Sequence, residues 1–393
     1  MQTLYDLVGL DVIWKGPNVP NGQDVLPFCR NAVGPSVKGV GKGAVMLMFY
    51  GATLAPLAMI ALGATTGGPW PALALGYMTV PSFALDRLSA RRAEDAGGDG
   101  EFPAAIPLLP IIGLAHLLLL ALVVRAIAMP AETLGALGPW QRAFLGLATA
   151  LVFGQISHPA AHELIHKPAR LLRLMGRLIY TSLLVGHHAS AHLRVHHVLV
   201  ASDGDPNSAR RGEGFYRFAL RAGPGSFKAG LAADTAMLRR AGRPVWRHPY
   251  VLYCVGGVAC MGAALALGGV PGLAAYVAIC LYAQMQILMS DYVQHYGLRR
   301  QTLPGGRLEP VGPQHSWNTP HRFSSAMTLN APRHSDHHVN PARVYPALRL
   351  RRADMPVLPY PLPAMAALSL VPPLWRRVMD RRLDRWTSPP GAG

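Results

Sequence analysis

Charged residues are scarce in this sequence, at 15% of 393 positions against 51% hydrophobic residues. Cysteine is nearly absent. The four cysteines, Cys29, Cys254, Cys260 and Cys280, form no Cys-x-x-Cys pair, which argues against a fused iron–sulfur domain and leaves them as small apolar side chains. Residues 1–43 lack the apolar segment and small-residue cleavage site of a secretory signal, so we expect an N-terminal tail there.

Long apolar segments account for this composition. They are long enough to cross about 30 Å of hydrocarbon, and so many in one chain favour membrane spans over buried helices of a soluble core. The segment 70–85 is the shortest and contains Pro81. We predict an all-α integral membrane domain over residues 44–393, with about six transmembrane helices at residues 45–66, 70–85, 104–129, 140–156, 250–267 and 270–289.

Histidine is the residue type that carries the chemistry. Nine of the sixteen histidines fall into three clusters and one isolated position. Imidazoles three or four residues apart share a helical face and can converge on a metal ion. We therefore expect His192 and His196 to share a face, with His197 reaching a second metal. The candidate metal ligands are His162, His166, His192, His196, His197, His295, His334, His337 and His338.

Loops rich in Lys and Arg tend to remain in the cytoplasm, so basic residues predict the orientation. The loops 130–139 and 268–271 contain neither residue type, and we expect both to face outward. With six spans and both termini inside, all nine histidines then lie in a cytoplasmic cap. The segment 171–185 must lie in the membrane interface or re-enter, because another crossing would separate the first two clusters.

Nine imidazoles exceed the octahedral capacity of one ion, so we predict two metal ions. The string His162-Glu163-x-x-His166 is also found in zinc metalloproteases, but such a site needs only one further ligand and seven more candidates follow here. Imidazole suits Fe, Zn, Cu and Ni alike, and a site open to hydrocarbon favours oxidative chemistry and therefore iron. Asp336 is a candidate to orient a ligand imidazole, and His187 and His188 are candidate donors around the ligands.

The net charge of +17 is concentrated in the segments that this orientation places inside. One interpretation is the cytoplasmic bias of basic loops together with attraction to anionic lipid. The other is a docking surface for an acidic protein. Nucleic acid binding is not expected, since no recognised module accompanies the charge.

Four segments carry a resemblance: 162–167 (HELIHK), 192–197 (HLRVHH), 295–298 (HYGL) and 333–338 (RHSDHH). They resemble the histidine motifs of the membrane-bound alkane 1-monooxygenases, rubredoxin-dependent omega-hydroxylases of the fatty acid desaturase and hydroxylase superfamily. The similarity extends over about residues 45–386. The family usually has Glu before the first histidine of the second motif and before the His-Tyr-Gly histidine, where this chain has Ala191 and Gln294.

The resemblance implies a non-haem diiron centre held by the nine histidines, with O2 as co-substrate, that converts medium- or long-chain n-alkanes to 1-alkanols. It implies electrons from rubredoxin, supplied by a rubredoxin reductase, and a bacterial inner-membrane location with the site facing the cytoplasm. The alkane would enter from the bilayer. Glu163 and Asp336 become candidate partners of the ligand imidazoles, and His315, Trp317 and Asn318 become neighbours of the site.

Three alternatives stay open. A xylene-type monooxygenase acting on aromatic methyl groups would share these motifs. A fatty acyl desaturase or hydroxylase belongs to the same superfamily but normally has looser motifs. A membrane metal transporter would need ionisable residues within its spans, and the predicted spans contain few of them, such as Arg125 and His116.

Overall fold

The computed structural model describes residues 41–79, 84–86 and 102–387. The predicted N-terminal tail, apart from its last three residues, lies outside these ranges. Within them the secondary structure is helical apart from two isolated β-bridges, Thr302 with Leu308 and Asn318 with Val357, which confirms the all-α prediction.

The apolar segments form the long helices of the described chain. These are α1 (Lys42–Thr66), α2 (Trp70–Met78), α3 (Ala105–Ala128), α4 (Pro139–Val152), which continues through a π-helical turn (Phe153–Ser157) into α5 (His158–Ile165), and a 47-residue run, Pro249–His295. Four of these stretches are long and apolar enough to cross a membrane: Lys42–Thr66, Ala105–Ala128, Pro139–Ile165 and Pro249–His295. The helices predicted at 45–66, 104–129 and 140–156 are therefore confirmed.

The predicted span 70–85 is helical over Trp70–Met78, and residues 80–83 lie outside the described chain. Nine helical residues reach roughly 14 Å, about half the hydrocarbon thickness. Helix α2 folds back along α1, since the Tyr77 hydroxyl donates to the Ala52 carbonyl at 3.2 Å. The reversal occurs at Gly67 and Gly68, whose φ angles of 65° and 58° suit glycine.

The two predicted spans 250–267 and 270–289 are the arms of one run, α10 (Pro249–His295). Non-helical backbone at Gly268 and Gly269 interrupts it, with φ +60° at Gly269. The arms lie side by side, because a Cβ added at Gly272 would come within 2.8 Å of the Ala264 carbonyl oxygen. The second arm extends beyond its predicted end to His295.

The segment 171–185, expected in the interface or re-entrant, forms α6 (Arg170–Ser182). Its end enters the bundle: the Ser182 hydroxyl lies 2.9 Å from Nε2 of His116, in the middle of α3. The Ser182 carbonyl accepts from the Tyr276 hydroxyl of the second α10 arm at 2.8 Å. The chain then turns back at Leu184, which has a positive φ of 57°. The segment therefore enters the helical bundle and reverses within it.

The remaining helices bring the other motifs to the end of α10. Aromatic packing fixes this region, with Trp375 lying 5.1 Å from Tyr292 and 5.3 Å from Tyr296 between ring centroids, on either side of His295. The helices are α7 (His188–Ala191), which runs through a π-helical turn (His192–His196) into α8 (His197–Leu199), and then α9 (Phe215–Arg240), α11 (Arg322–Met327), α12 (His334–Val339), α13 (Leu362–Ser369) and α14 (Pro372–Thr387), with 3-10 turns at Val245–Arg247, Pro313–His315 and Tyr345–Ala347.

Candidate metal centre

The nine imidazoles predicted from the sequence converge in two groups. Within each group, one nitrogen of every ring lies within 4.8 Å of the others. Both groups contain only histidines, and most of the rings are buried. The first group is His162, His166, His192, His197 and His337, and the second group is His196, His295, His334 and His338.

Helix α5 supplies two rings to the first group. His162 and His166 are one helical turn apart, with ring centroids at 5.0 Å. Nε2 of His162 lies 2.7 Å from Nε2 of His192, and the His166 ring is 4.8 Å from that of His197. The end of a membrane-spanning helix thus meets the second histidine motif directly.

The π-helical turn His192–His196 determines which of the two groups each histidine of the second motif joins. In a π-helix the residues i and i+5 are bonded, and here the His197 N–H donates to the His192 carbonyl. Nε2 of His197 therefore lies 2.9 Å from Nε2 of His192, while His196 belongs to the other group. The expectation that His192 and His196 act together was wrong, because it assumed an α-helical repeat.

Helix α12 divides in the same way. Nε2 of His338 lies 3.1 Å from Nε2 of His334, one turn away, and Nε2 of His334 lies 3.0 Å from Nε2 of His295. His337 projects elsewhere, with its Nε2 at 3.1 Å from Nε2 of His197. The third motif therefore contributes to both groups.

The segment 315–318, expected near the site, secures α12 and α10. The Asn318 side chain accepts from the Ser335 N–H at 3.0 Å and donates to the Ser335 hydroxyl at 2.8 Å. Trp317 donates its backbone N–H to Gln294 and its indole N–H to the Tyr296 carbonyl, the residues on either side of His295. His315 instead bonds Glu309, at 3.0 Å from Nε2.

Hydrogen bonding alone cannot explain this packing. Nε2 of His192 faces two other Nε2 atoms at 2.7 and 2.9 Å, although a neutral imidazole nitrogen either donates once or accepts once. Nε2 of His166 and of His196 is buried without a partner among the described residues. Several lone pairs directed at one point are what a metal ion requires. The residues present therefore suit metal ions.

The protonation states agree with this interpretation. Burial lowers the pKa of His166 to about 4 and that of His334 to about 3. Burial and repulsion from neighbouring imidazoles hold the pKa of His192 and of His197 well below the usual range. These rings are neutral at physiological pH, which is the form that binds a metal.

His196 is the exception. Burial lowers its pKa, but the adjacent Asp205 carboxylate outweighs that effect and raises it overall. Nδ1 of His196 lies 2.9 Å from Oδ2 of Asp205, which also accepts from the Ser208 hydroxyl at 2.7 Å. A carboxylate at Nδ1 fixes the ring orientation and leaves Nε2 to face the second group. Asp205 was missed as a site residue, although an Asp in a Pro-Asn-Ser turn is a recognisable turn signal.

The carboxylates named from the sequence have other partners. Asp336 accepts from the Asn340 amide at 2.9 Å, from the Arg343 guanidinium at 2.7 Å and from the Arg349 N–H at 2.8 Å. Glu163 pairs with Lys167 at 2.8 Å. The carboxylate that orients an imidazole in the described site is therefore Asp205 rather than Asp336.

The two positions that depart from the family pattern also have clear contacts. Gln294 donates to the Ala331 carbonyl at 2.9 Å and accepts from the Ser290 hydroxyl at 2.8 Å, which ties α10 to the loop before α12. Ala191 packs against α9, where its Cβ would lie 3.1 Å from a Cβ added at Gly230.

Further imidazoles adjoin the first group. The His188 ring stacks on that of His192 at 5.4 Å, and its Nε2 is buried without a partner among the described residues. His187 packs on Phe227 at 5.2 Å instead. His188 therefore adjoins the first group, whereas His187 packs on Phe227, although the sequence analysis treated the two residues alike.

A cavity of about 460 Å³ lies beside the first group. Apolar side chains such as Leu151, Met289 and Leu362, from α4, the second α10 arm and α13, form most of its wall. His158 also lines it, and the His158 ring lies 6.4 Å from the ring of His162. One imidazole therefore separates an apolar cavity from the first group.

Comparisons with known proteins find several similar monooxygenases. Alkane 1-monooxygenase 1 of Alcanivorax borkumensis is 36% identical over 251 residues, covering 62% of this chain and 61% of that protein. The alkane 1-monooxygenase of Ectopseudomonas oleovorans is 33% identical, covering 62% and 60%. The xylene/toluene monooxygenase hydroxylase component XylM of Pseudomonas putida is 28% identical, covering 63% and 66%.

The chain thus spans about three fifths of the length of the alkane 1-monooxygenases it matches. The family model for fatty acid desaturases matches residues 138–368, more than half of the chain, and this range includes all nine histidines of the two groups. The chain belongs to the fatty acid desaturase family.

Proposed function

We propose that this protein hydroxylates the terminal methyl group of medium- or long-chain n-alkanes, giving 1-alkanols, with two non-haem iron ions and O2. The observation that carries the proposal is the convergence of nine imidazoles in a group of five and a group of four beside an apolar cavity. The similarity to several alkane 1-monooxygenases supports the reaction.

Each group would hold one iron ion. When bound, the two irons would supply activation of O2 with two electrons from an external donor. The protein residues keep the imidazoles neutral by burial and orient them, with Asp205 on Nδ1 of His196 and Asn318 at the start of α12. The iron assignment is favoured over zinc because the proposed reaction is a redox reaction.

The cavity would bind the alkyl chain. Its volume of about 460 Å³ lies within the usual range of ligand sites, roughly 300–1,000 Å³. Burial of each methylene contributes about 0.8 kcal/mol, so an apolar wall provides affinity without specific contacts. The second α10 arm and α4, which line the cavity, belong to apolar helices that can cross a membrane. An alkane dissolved in the bilayer would therefore have a short path to the cavity.

We propose six crossings, by α1, the predicted span 70–85 that begins with α2, α3, α4–α5 and the two arms of α10, in the bacterial inner membrane with the histidines on the cytoplasmic side. Helix α9 supports this side. It ends in Arg239 and Arg240, and Trp246, 75% exposed, follows just before α10 begins. Basic residues next to a span are typical of the cytoplasmic side, and an exposed Trp is typical of either membrane interface.

Rubredoxin, reduced by a rubredoxin reductase, is the proposed electron donor. Arg210 and Arg217 are exposed on the segment before and at the start of α9. This segment contacts the end of α10, since the Gly212 N–H donates to the Tyr296 hydroxyl at 2.8 Å, next to His295. An acidic donor attracted to these cations would dock beside the second group.

Aromatic methyl oxidation is the second candidate function, because the relative XylM is named as a xylene/toluene monooxygenase component. A fatty acyl desaturase or hydroxylase is the third, since the family model is named for desaturases. The substrate distinguishes all three.

We predict that the protein, reconstituted with rubredoxin, its reductase and NADH, converts C6 to C16 n-alkanes to 1-alkanols faster than it oxidises aromatic methyl groups or acyl chains. The mostly apolar wall of the cavity favours a flexible alkyl chain. Gas chromatography with identified product positions measures the rates. Turnover restricted to xylenes, or a double bond as the product of an acyl chain, would contradict the proposal.

Metal analysis tests the centre itself. Protein expressed with ample iron and purified without oxygen should contain two iron ions per chain. His295→Ala should remove about one iron and abolish hydroxylation, because the second group has only four ligands. His248→Ala is the matched control and should retain both irons, since His248 bonds the Tyr250 N–H at 3.1 Å, outside both groups. One tightly bound zinc without iron would rule out the assignment.

Asp205→Asn should lower iron affinity or turnover by about 10- to 100-fold, because a carboxylate that holds a ligand imidazole typically contributes that much. Asp203→Asn is the control two residues away, where the side chain is 86% exposed and 3.8 Å from Arg299. Iron retained during titration with a chelator measures the effect. Equal retention by the two variants would show that Asp205 does not orient His196.

Replacing Arg210 and Arg217 together by Gln should raise the KM for rubredoxin and leave the KM for alkane unchanged. Rising salt should reduce the wild-type rate in the same way, because exposed charges are screened over about 8 to 10 Å at physiological ionic strength. Arg211 is left in place because it pairs with Asp384 at 2.7 Å. The control is Arg239→Gln with Arg240→Gln, at the opposite end of α9. An unchanged donor KM in the first variant would place docking elsewhere.

A further inference from the structure

The cavity beside the first group has polar side chains on one wall. Gln155, in the π-helical turn after α4, donates to Oε1 of Gln286 at 3.0 Å, and Gln286 donates to the Ala150 carbonyl at 2.8 Å. These hydrogen bonds join α4 to the second α10 arm. The amide nitrogens of both residues are thus bonded to the protein, and Oε1 of Gln155 is fully enclosed.

His158 lines the same wall but is bonded differently. Its Nδ1 lies 3.0 Å from the Tyr180 hydroxyl, a contact that involves only one of the two ring nitrogens. The side chain is 9% exposed, lines the cavity, and its Nε2 is not among the fully enclosed atoms without a partner. Nε2 is therefore the nitrogen that can meet a ligand in the cavity.

His158 lies one helical turn before His162 on α5, and the two rings are 6.4 Å apart. A ligand atom bonded to Nε2 of His158 would lie at the end of the cavity nearest to the first group. A saturated hydrocarbon has no atom that can form this bond, and an imidazole nitrogen enclosed by hydrocarbon loses its hydrogen bond to water.

We propose that His158 hydrogen-bonds the oxygen of a chain that carries a hydroxyl group at this end, so that the cavity binds primary alkanols in preference to alkanes of the same length. The inference rests on the proposed function, for which a 1-alkanol is the product. The apolar remainder of the wall would hold the carbon chain in either case.

The chemistry of the wall favours a hydroxyl over a carboxylate. A hydroxyl donates and accepts, so it fits Nε2 of His158 in either tautomer. A carboxylate would need a cation in an otherwise apolar environment. The described residues that line the cavity include Asp86 and contain neither Lys nor Arg. A carboxylate in this cavity would therefore find no cation among the described lining residues.

Retention of the alcohol has a kinetic consequence. The product of one turnover would occupy the cavity and compete with the next alkane, so His158 would set the ratio between alkanol and alkane affinity. His158 is thus a specificity-determining residue outside the two groups of nine, and its replacement should change this ratio without removing a ring of either group.

The test compares 1-dodecanol with dodecane. Binding to metal-free protein in nanodiscs is measured by competition against a radiolabelled dodecane, and inhibition by 1-dodecanol is measured in the reconstituted enzyme. His158→Phe keeps a planar ring and should lower the ratio of alkanol affinity to alkane affinity by about 2- to 10-fold, the loss of one hydrogen bond. His158→Gln, which can still form a hydrogen bond, should restore most of the alkanol affinity.

Two controls keep the inference falsifiable. Met289→Leu changes an apolar position of the same wall and should leave the alkanol-to-alkane ratio as in the wild type. On the wild-type protein, 1-chlorododecane, which has no hydrogen-bond donor, should bind more weakly than 1-dodecanol, and this comparison does not depend on the folding of a variant.

An alkanol-to-alkane ratio that is equal in His158→Phe and the wild type overturns the inference. So does equal binding of 1-dodecanol and 1-chlorododecane to the wild type. Neither result affects the proposed function, which fails separately if the iron-loaded wild type forms no 1-alkanol. The metal-free binding experiment gives its answer in both situations.

Discussion

Imidazole nitrogens that face one another at 2.7 to 3.1 Å must be neutral and must direct their lone pairs inward, and most of the surrounding structure serves this requirement. Burial removes the alternative of protonation, since a charged ring in this cluster would be both desolvated and repelled. The rings are then held by backbone that cannot move independently. Asn318 bonds the start of α12, Trp317 bonds both neighbours of His295, and α6 packs across α5 at Gly176, where a Cβ would meet the Ala161 carbonyl at 2.8 Å.

The two π-helical turns are local solutions to the same requirement. The turn Phe153–Ser157 joins a membrane-spanning helix to the ligand-bearing α5, and the turn His192–His196 lets one short segment serve both groups. An α-helix would place His192 and His196 on one side and leave His197 about 100° away. The wider turn brings His197 beside His192 and releases His196 toward Asp205. π-Helical turns occur frequently at functional sites, and here the reason is geometric.

Hydropathy and spacing therefore predict a well-defined part of this molecule. The long apolar helices and all nine converging histidines follow from the sequence, because both depend on local composition and residue type. The division into five and four does not, since the i, i+4 rule presupposes an α-helix at 192–197. The role of Asp205 could not be predicted from the sequence either, because its hydrogen bond to His196 depends on how the turn after α8 folds back. In the sequence Asp336 looked equally able to orient an imidazole, but its carboxylate accepts hydrogen bonds from the Arg343 guanidinium and the Arg349 N–H.

The apolar cavity and the polar centre adjoin each other, and the end of α6 enters the helical bundle there. Imidazoles that hold a metal need hydrogen-bonding partners, which an apolar environment does not provide. The end of α6 brings such partners into the bundle, with the Tyr180 hydroxyl on His158 and the Ser182 hydroxyl on His116. His158 stands where the two environments meet, one helical turn from His162 and open to the cavity. A histidine at that boundary can distinguish a chain with an oxygen from one without, which neither the apolar wall nor the nine converging rings can do through their own contacts.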